Sequence, residues 1–563
     1  MALTDLEIAQ QATYAPLDDV ARQAGLDPSF LEPYGDHVAK IRLDALDRPA
    51  TKRAKYVLVS AVTPTPLGEG KTTTTVGLGQ AFAHLNKRAT IAIRQPSLVP
   101  TFGIKGGAAG GGQSQVIPME RLNLHLTGDF HAVTAAHNML AAVLDNHLFQ
   151  GNACQIDLDA ITWRRVLDVN DRSLRNIVIG LGPKIDGVTR QTGFDITAAS
   201  EVMAVLALAS SVEDLRARLG RIVVGYTAEG QAVTAEMIDG AGAMAALLID
   251  AMKPNLLQTL EHTPALVHAG PFGNIAHGNS SVIADLIGID GPDVLLTEAG
   301  FGADMGAERF FNIKCRASGL TPDACVLVVT VRALKAHSGN HHIVAGKPLP
   351  AALFEDNPDE VRQGAANLIA QIKNIAVHGV RTVVAINAFP EDHASEHDAI
   401  AEIAAAHGCV AQVTRLHAEG GAGAIELAEA VWDAAEEGSD FRFLYEPTDS
   451  LTEKITRIAT TIYGADGIDL SPLAARQLAR YEANGFSELG VCIAKTHLSI
   501  SSDPSLLGAP TGWRLPVREL RASVGAGYLY AICGEMRTMP GLGAHPAAHQ
   551  IDVTGEGQIT GLF

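Results

Sequence analysis

The segment Thr65-Pro66-Leu67-Gly68-Glu69-Gly70-Lys71-Thr72 stands between an apolar run, Tyr56-Val57-Leu58-Val59-Ser60-Ala61-Val62, and a helix-like stretch, Thr73-Thr74-Thr75-Val76-Gly77-Leu78. A strand that turns through glycines into a helix leaves successive loop N–H groups and the positive helix end facing one point, where phosphate oxygens are held. Lys71 stands where a lysine neutralises charge on β- and γ-phosphates, and Thr72 where a hydroxyl meets Mg²⁺. The strict pattern opens on glycine where this chain has Thr65, so the flanking strand and helix carry the assignment. Residues Thr65 to Thr72 are therefore expected to cradle a nucleoside triphosphate. The plainer alternative is that Gly68 and Gly70 only make a tight turn.

The loop constrains the rest of the chain, because it needs a parallel strand beneath it. Apolar runs suited to such strands recur at Thr90-Ile91-Ala92-Ile93, from Ala324 to Thr330 and from Arg381 to Asn387, alternating with helical patterns such as Asp195 to Val205 and Ile425 to Val431. The expected fold class is α/β, a P-loop NTPase-like core with a mostly parallel sheet and two smaller α/β or α+β domains. Expected boundaries are 1–150 for the first part of the nucleotide core, 151–262 for an inserted domain, 263–465 for the second part of the core, and 466–563 for a C-terminal domain. The 563 residues are 47% hydrophobic and 19% charged, enough apolar material for several cores. A formal net charge of −19 argues against a nucleic-acid backbone as partner, which demands surplus Lys and Arg. The six cysteines are far apart with no Cys-x-x-Cys pair, which fits a reducing cytoplasm better than a disulfide framework. The amino terminus lacks a basic start followed by an apolar core, and no apolar stretch reaches the roughly 20 residues of a membrane span. No nucleic acid, no membrane and a cytoplasmic location are expected.

A second glycine-dense segment, Gly103-Ile104-Lys105-Gly106-Gly107-Ala108-Ala109-Gly110-Gly111-Gly112-Gln113, follows Arg94-Gln95-Pro96-Ser97-Leu98-Val99-Pro100. Glycines at this density let a main chain approach a ligand closely, although a flexible linker has a similar composition. Lys105 and Arg94 bracket the loop with fixed positive charge. Arg94 ends a strand, the place where open α/β sheets put their ligands.

These two loops, with Leu122-Asn123-Leu124-His125-Leu126-Thr127-Gly128-Asp129-Phe130-His131-Ala132-Val133-Thr134, Thr297-Glu298-Ala299-Gly300-Phe301-Gly302-Ala303-Asp304 and Val329-Thr330-Val331-Arg332-Ala333-Leu334-Lys335, closely resemble the formate–tetrahydrofolate ligase family from the first helix to Gly561-Leu562-Phe563. The resemblance implies a cytoplasmic homotetramer that joins formate to N10 of tetrahydrofolate while MgATP becomes ADP and phosphate. It also implies activation by a monovalent cation, potassium or ammonium. Formate is a poor electrophile, so the implied route passes through formyl phosphate. By resemblance Lys71, Arg94 and Asp129 are catalytic, Arg94, Lys105 and Gly106 hold formate and then formyl phosphate, and Thr72 meets Mg²⁺ through ATP. Phe301, Phe389 and His417 would stack the pterin; read alone, Phe389 beside Pro390 is a core residue.

The chain departs from the family pattern near these positions. The family commonly has tryptophan where this chain has His417, glutamate where it has Gln95, glycine at Val99 and Ser338, and tyrosine at Gln113. The glutamate is associated with the cation site, and Gln95 offers only an amide oxygen in its place. Asp129 is open to three readings: a helix N-cap, an Mg²⁺ ligand or a group orienting the amine. Arg332 and Lys335 could bind folate carboxylates or phosphate, or simply begin an exposed helix. Two rival functions share some of these features: a P-loop switch ATPase, and a divergent paralogue that activates another small carboxylate or a modified pterin.

Overall fold

A computed structural model describes residues 3–103, 109–341, 343 and 348–562. Its centre is a twelve-stranded sheet: β1 (Leu31–Pro33), β2 (Ala39–Ile41), β3 (Lys55–Ala61), β4 (Ala89–Ile93), β5 (Gly110–Gly111), β6 (Ser114–Ile117), β7 (Asn255–Thr259), β8 (Pro264–Val267), β9 (Val294–Glu298), β10 (Ala324–Val329), β11 (Arg381–Asn387) and β12 (Val410–Thr414). The spatial order is β1-β2-β7-β8-β4-β9-β3-β10-β11-β12, with β6 pairing β7 and β5 pairing β6. From β8 to β12 every neighbouring pair is parallel, whereas β1, β2 and β7 run antiparallel. The molecule is thus a mixed α/β fold with a large, mostly parallel sheet.

Strands buried on both faces read as continuous apolar runs, and alternate residues then feed two separate cores. In β3, Tyr56 and Leu58 join one core while Val57, Val59 and Ala61 join the other; in β10, Cys325, Leu327 and Val329 are divided in the same way from Ala324, Val326 and Val328. The first core also takes Val133, Leu140 and Leu144 of helix α2 (Asp129–Phe149); the second takes Val76, Leu78 and Phe82 of helix α1 (Lys71–His84). Gly77 lies inside α1, where glycine costs roughly 0.5–1 kcal/mol relative to alanine. A Cβ there would come within 2.4 Å of both Leu416 Cδ2 and Ser114 Oγ, so the close seating of α1 on the sheet requires it.

Between β6 and β7 the chain forms α2 and three two-stranded sheets; after β12 it forms helices, a parallel pair (Ile468–Leu470 with Leu515–Val517) and a three-stranded sheet (Gly490–Ala494, Tyr528–Ile532, Glu519–Ser523). Buried Arg309 reaches this last sheet through Nη2 to Ile493 O at 2.5 Å. No helix of the described residues is long and apolar enough to cross a membrane.

One sequence expectation is corrected here. The helix read from Asp195 to Val205 begins only at Glu201, because Ser200 caps it by accepting from Val202 N at 3.0 Å. Phe194–Ile196 instead forms a strand parallel to Arg165–Leu167. The small residues Thr197 to Ser200 suit either conformation, and the cap decides.

Candidate functional site

In a parallel sheet all strands point their carboxyl ends to one edge, where ligands gather. Here that edge carries, in spatial order, His268 after β8, Arg94 after β4, Glu298 closing β9, the Thr65–Thr72 loop after β3, Arg332 after β10, Phe389 after β11 and His417 after β12. Seven strands thus bring together positions that are more than 300 residues apart in the chain.

The loop is held open by its own side chains. Glu69, 2% exposed, accepts from Thr65 N at 2.8 Å and Thr65 Oγ1 at 3.1 Å, while Thr65 O accepts from Gly68 N at 3.2 Å. Pro66 is exposed and Leu67 half-buried. Gly68 and Gly70 both take φ of +76°, the left-handed region that glycine enters without strain. Asn387 Nδ2 donates to Glu69 O at 3.1 Å and would stand 2.5 Å from a Cβ at Gly70, so that glycine is required twice over. Gly70 caps α1, and Lys71 and Thr72 open it. A cavity of about 530 Å³ borders Pro64, Thr65 and Pro66, with Ala336, Ile343, Leu498 and Leu507 giving it apolar walls suited to a flat heterocycle.

Sequence reasoning missed Glu298. Its buried carboxylate accepts from Thr72 Oγ1 at 2.8 Å across the β3–β9 boundary. A hydroxyl and a carboxylate in contact beside a glycine-rich loop form an oxygen set suited to Mg²⁺. Only the strand order exposes this partnership, because Glu298 follows Thr72 by 226 residues.

Arg94 is half-buried, and no ion pair among the described residues includes it. Its Nη1 donates a long hydrogen bond to Pro271 O at 3.4 Å, and its Nε has no partner among the described residues. The guanidinium lies over two glycine backbones: a Cβ at Gly300 would meet Nη2 at 3.4 Å, and one at Gly278 would meet Nη1 at 4.0 Å. Lys105 and Gly106, the other anion ligands expected from sequence, lie outside the described residues.

A second group missed in the sequence is His277, which is fully buried with neither ring nitrogen hydrogen-bonded among the described residues. Burial first, and then the positive charges of Lys314, Arg94 and Arg309, hold its imidazole well below the usual histidine range, so the ring is neutral at physiological pH.

Phe301 follows β9 with φ of +60°, a conformation that costs a bulky residue on the order of 1–3 kcal/mol. The ring stacks on His497, centroids 4.8 Å apart at 21°, and packs on Gly273, where a Cβ would lie 3.0 Å from Phe301 Cε2. Arg309 Nη1 ties down the Gly273 carbonyl and, at 3.0 Å, that of Ala276. Phe301 and Arg94 therefore share one loop cluster. Phe389 is half-buried with the Arg332 guanidinium 3.8 Å over its ring, and Arg332 also pairs with Glu391 at 2.6 Å. The core reading of Phe389 does not hold, since its ring remains at the site edge. His417 is exposed, 3.8 Å from Asp5, and packs against the second glycine loop, where Gln113 N donates to His417 O at 2.9 Å.

Two other readings change. Gly128, not Asp129, caps α2, and Asp129 is its first helical residue. The Asp129 carboxylate is buried against Lys40 Nζ at 2.7 Å and Asn255 Nδ2 at 2.8 Å. Lys40→Met would leave that charge buried without its partner and is expected to destabilise the fold by about 3–5 kcal/mol, read from denaturant unfolding; a loss below 1 kcal/mol would contradict the pairing. Lys335 is fully buried, not exposed at a helix start: it pairs with Glu396 at 2.5 Å and donates to Leu353 O and Glu355 O.

An α/β protein with a glycine-rich strand–helix loop at the carboxyl edge of a parallel sheet, and on the same edge an arginine with no ion pair among the described residues, suits the class of anion-handling proteins. Comparison with known proteins narrows the class. The family model described as "Formate--tetrahydrofolate ligase" matches residues 3–563, and the chain belongs to that family. It is 67% identical to the "Formate--tetrahydrofolate ligase" of Saccharopolyspora erythraea over 563 residues, covering 99% of each chain. It is 66% identical to "Formate--tetrahydrofolate ligase 3" of Rubrobacter xylanophilus, with both chains fully covered, and 61% identical to the Cutibacterium acnes relative, again at full coverage.

Proposed function

We propose that this chain ligates formate to N10 of tetrahydrofolate, with ATP converted to ADP and phosphate, through formyl phosphate. Family membership over the full length supports the reaction, and one observation carries the site: an arginine without a carboxylate partner among the described residues follows β4, separated by β9 alone from the strand that bears the nucleotide loop. Two strand spacings are about 10 Å, within reach of a triphosphate that lies along the sheet edge.

A formate oxygen attacks the γ-phosphorus, the bond to the β-bridging oxygen breaks, and ADP leaves. Lys71 and the N–H groups of Gly68 to Thr72 neutralise charge as it moves to the β-phosphate, and Thr72 and Glu298 would hold the Mg²⁺ of MgATP, which would supply further positive charge there. Arg94, with Lys105 and Gly106, holds formate and then the formyl phosphate; a planar fork that keeps its proton suits an anion with two oxygens. The N10 amine next attacks the formyl carbon, and phosphate departs as the nitrogen gives up its proton. Phe301, Phe389 and His417 are assigned to the pterin. Asp129, whose carboxylate holds Lys40 and Asn255, is assigned a positioning role. On this reading the core is P-loop NTPase-like, segments 151–262 and 466–563 are its two appended domains, and the working form is a cytoplasmic homotetramer.

The cation site follows from Gln95. Its side chain is 2% exposed and its Oε1 lacks a partner among the described residues, so an amide oxygen stands where the family offers a carboxylate. A neutral ligand binds a monovalent ion more weakly. Exchanging sodium for potassium or ammonium at constant ionic strength is expected to change turnover by less than about twofold, and Gln95→Glu to increase that dependence; strong activation of the unaltered protein would contradict this account of Gln95.

The function itself is tested by incubating purified protein with formate, MgATP and tetrahydrofolate, each omitted in turn. Formylated folate should form only in the complete mixture. ATP hydrolysis that needs neither formate nor folate would instead favour a switch ATPase.

A further inference from the structure

Behind the nucleotide loop lies a buried polar chain that the reaction above does not use. Thr63, two residues before the loop, is gripped from three sides. Its N–H donates to Asn367 Oδ1 at 2.9 Å, its Oγ1 accepts from Asn367 Nδ2 at 2.8 Å and Gln371 Nε2 at 3.0 Å, and its carbonyl meets His337 Nε2 at 3.0 Å. Asn367 and Gln371 stand four apart on the helix Ala366–Ala376 and so share a face. Gln371 Nε2 also donates to Asp304 Oδ1 at 2.9 Å, and Asp304 Oδ2 pairs with Lys495 Nζ at 2.8 Å. Lys495 and Asp304 are almost wholly buried, and Lys495 donates further to Ser499 O at 2.6 Å.

The two ends of this chain lie beside different proposed substrate sites. Asp304 is three residues past Phe301, and a Cβ at the intervening Gly302 would meet Asp304 Oδ1 at 2.7 Å and Thr63 Cα at 3.1 Å. Lys495 is two residues before His497, on which Phe301 stacks. One end thus fixes the root of the nucleotide loop, and the other is anchored within three residues of each ring of the Phe301–His497 stack. Buried hydrogen bonds of this kind permit few arrangements, because each unsatisfied member costs free energy.

We propose that Gln371, Asp304 and Lys495 are positioning residues that couple nucleotide binding at the Thr65–Thr72 loop to folate binding at Phe301. The inference rests on the ligase reading for the identity of the two ligands. Coupling is reciprocal, so nucleotide should tighten folate to the same degree that folate tightens nucleotide. Filling the loop restrains Thr63, and the chain then holds Phe301 in its left-handed conformation, ready to stack a pterin.

The test is the ratio of tetrahydrofolate dissociation constants measured without and with a non-hydrolysable ATP analogue, after the unaltered protein has been shown to make formylated folate. Absence of that product would overturn the ligase reading alone. In the unaltered protein the ratio is expected to be roughly fivefold or more, in the usual range of coupled sites. Gln371→Met keeps the volume, contacts neither ligand and leaves the Asp304–Lys495 pair intact; it should lower the ratio at least twofold, with the thermal midpoint within a few degrees of the unaltered value. Asp304→Asn combined with Lys495→Met, which removes both charges together, should do the same. A ratio near one in the unaltered protein, a smaller drop in the variants, or failure of both variants to fold would overturn the proposal, the last by marking the cluster as scaffold only.

Discussion

Lys71→Ala is expected to lower formate-dependent ATP turnover roughly 10³-fold while leaving the fold intact. Lys71 opens α1 immediately after Gly70, with its backbone already placed by the left-handed turn and by Asn387. Alanine at that position keeps or improves helix propensity, so the thermal midpoint should move by only a few degrees. What is lost, on the proposed function, is the cation facing the β- and γ-phosphates. Removing one preorganised charge from a phosphoryl-transfer site typically costs about 10²–10³ in rate, and a full charge near the leaving group belongs at the upper end, about 4 kcal/mol of barrier. The measurement is phosphate release under saturating substrates beside a thermal unfolding curve. Turnover reduced less than tenfold in a folded variant would place the nucleotide elsewhere.

Arg94→Ala should abolish formyl transfer by about 10³-fold or more, yet still bind nucleotide. The expected size follows from other transition-state arginines, which contribute about 10³–10⁵. Arg94 has little structural work to lose: a 3.4 Å contact with Pro271 O and a guanidinium lying over Gly278 and Gly300. Truncation should therefore leave stability nearly unchanged, while the pocket loses the group that offsets two approaching anions. Arg94→Lys should recover only part of the activity, since an ammonium is a point charge without the bidentate fork. Trapping formyl phosphate with hydroxylamine separates the steps. Both variants should trap less formyl hydroxamate than the unaltered protein, and equal trapping would remove Arg94 from the first step.

Much of the architecture was legible because buried parallel strands are written as uninterrupted Val, Ile, Leu and Ala runs. The runs at Tyr56, Thr90, Ala324 and Arg381 all became strands of the central sheet. Local chemistry was legible where it is contiguous, as in the Thr65–Thr72 loop. Strand order was not, and it hides Glu298: β9 inserts between β4 and β3 after some 200 residues of intervening chain, so its carboxylate meets Thr72 only in the folded sheet. His277 gave no signal, since a lone histidine acquires its neutral state from burial beside charges contributed by other elements. Lys335 misled for the opposite reason. A basic residue just past a strand end suggests exposure, but Glu396 and two carbonyls supply a buried partner set from distant segments. Asp129 looked like a cap because aspartate favours that position, yet Gly128 takes the turn and Lys40 takes the carboxylate.

The central claim is that formate itself accepts the terminal phosphoryl group of ATP. Formate carrying ¹⁸O in both oxygens, turned over with MgATP and tetrahydrofolate, tests this directly, because the acyl–oxygen bond broken by the amine leaves one formate oxygen on phosphorus. The account predicts one ¹⁸O in each released phosphate and one in each formyl group. Phosphate free of the label, alongside formylated folate, would contradict it.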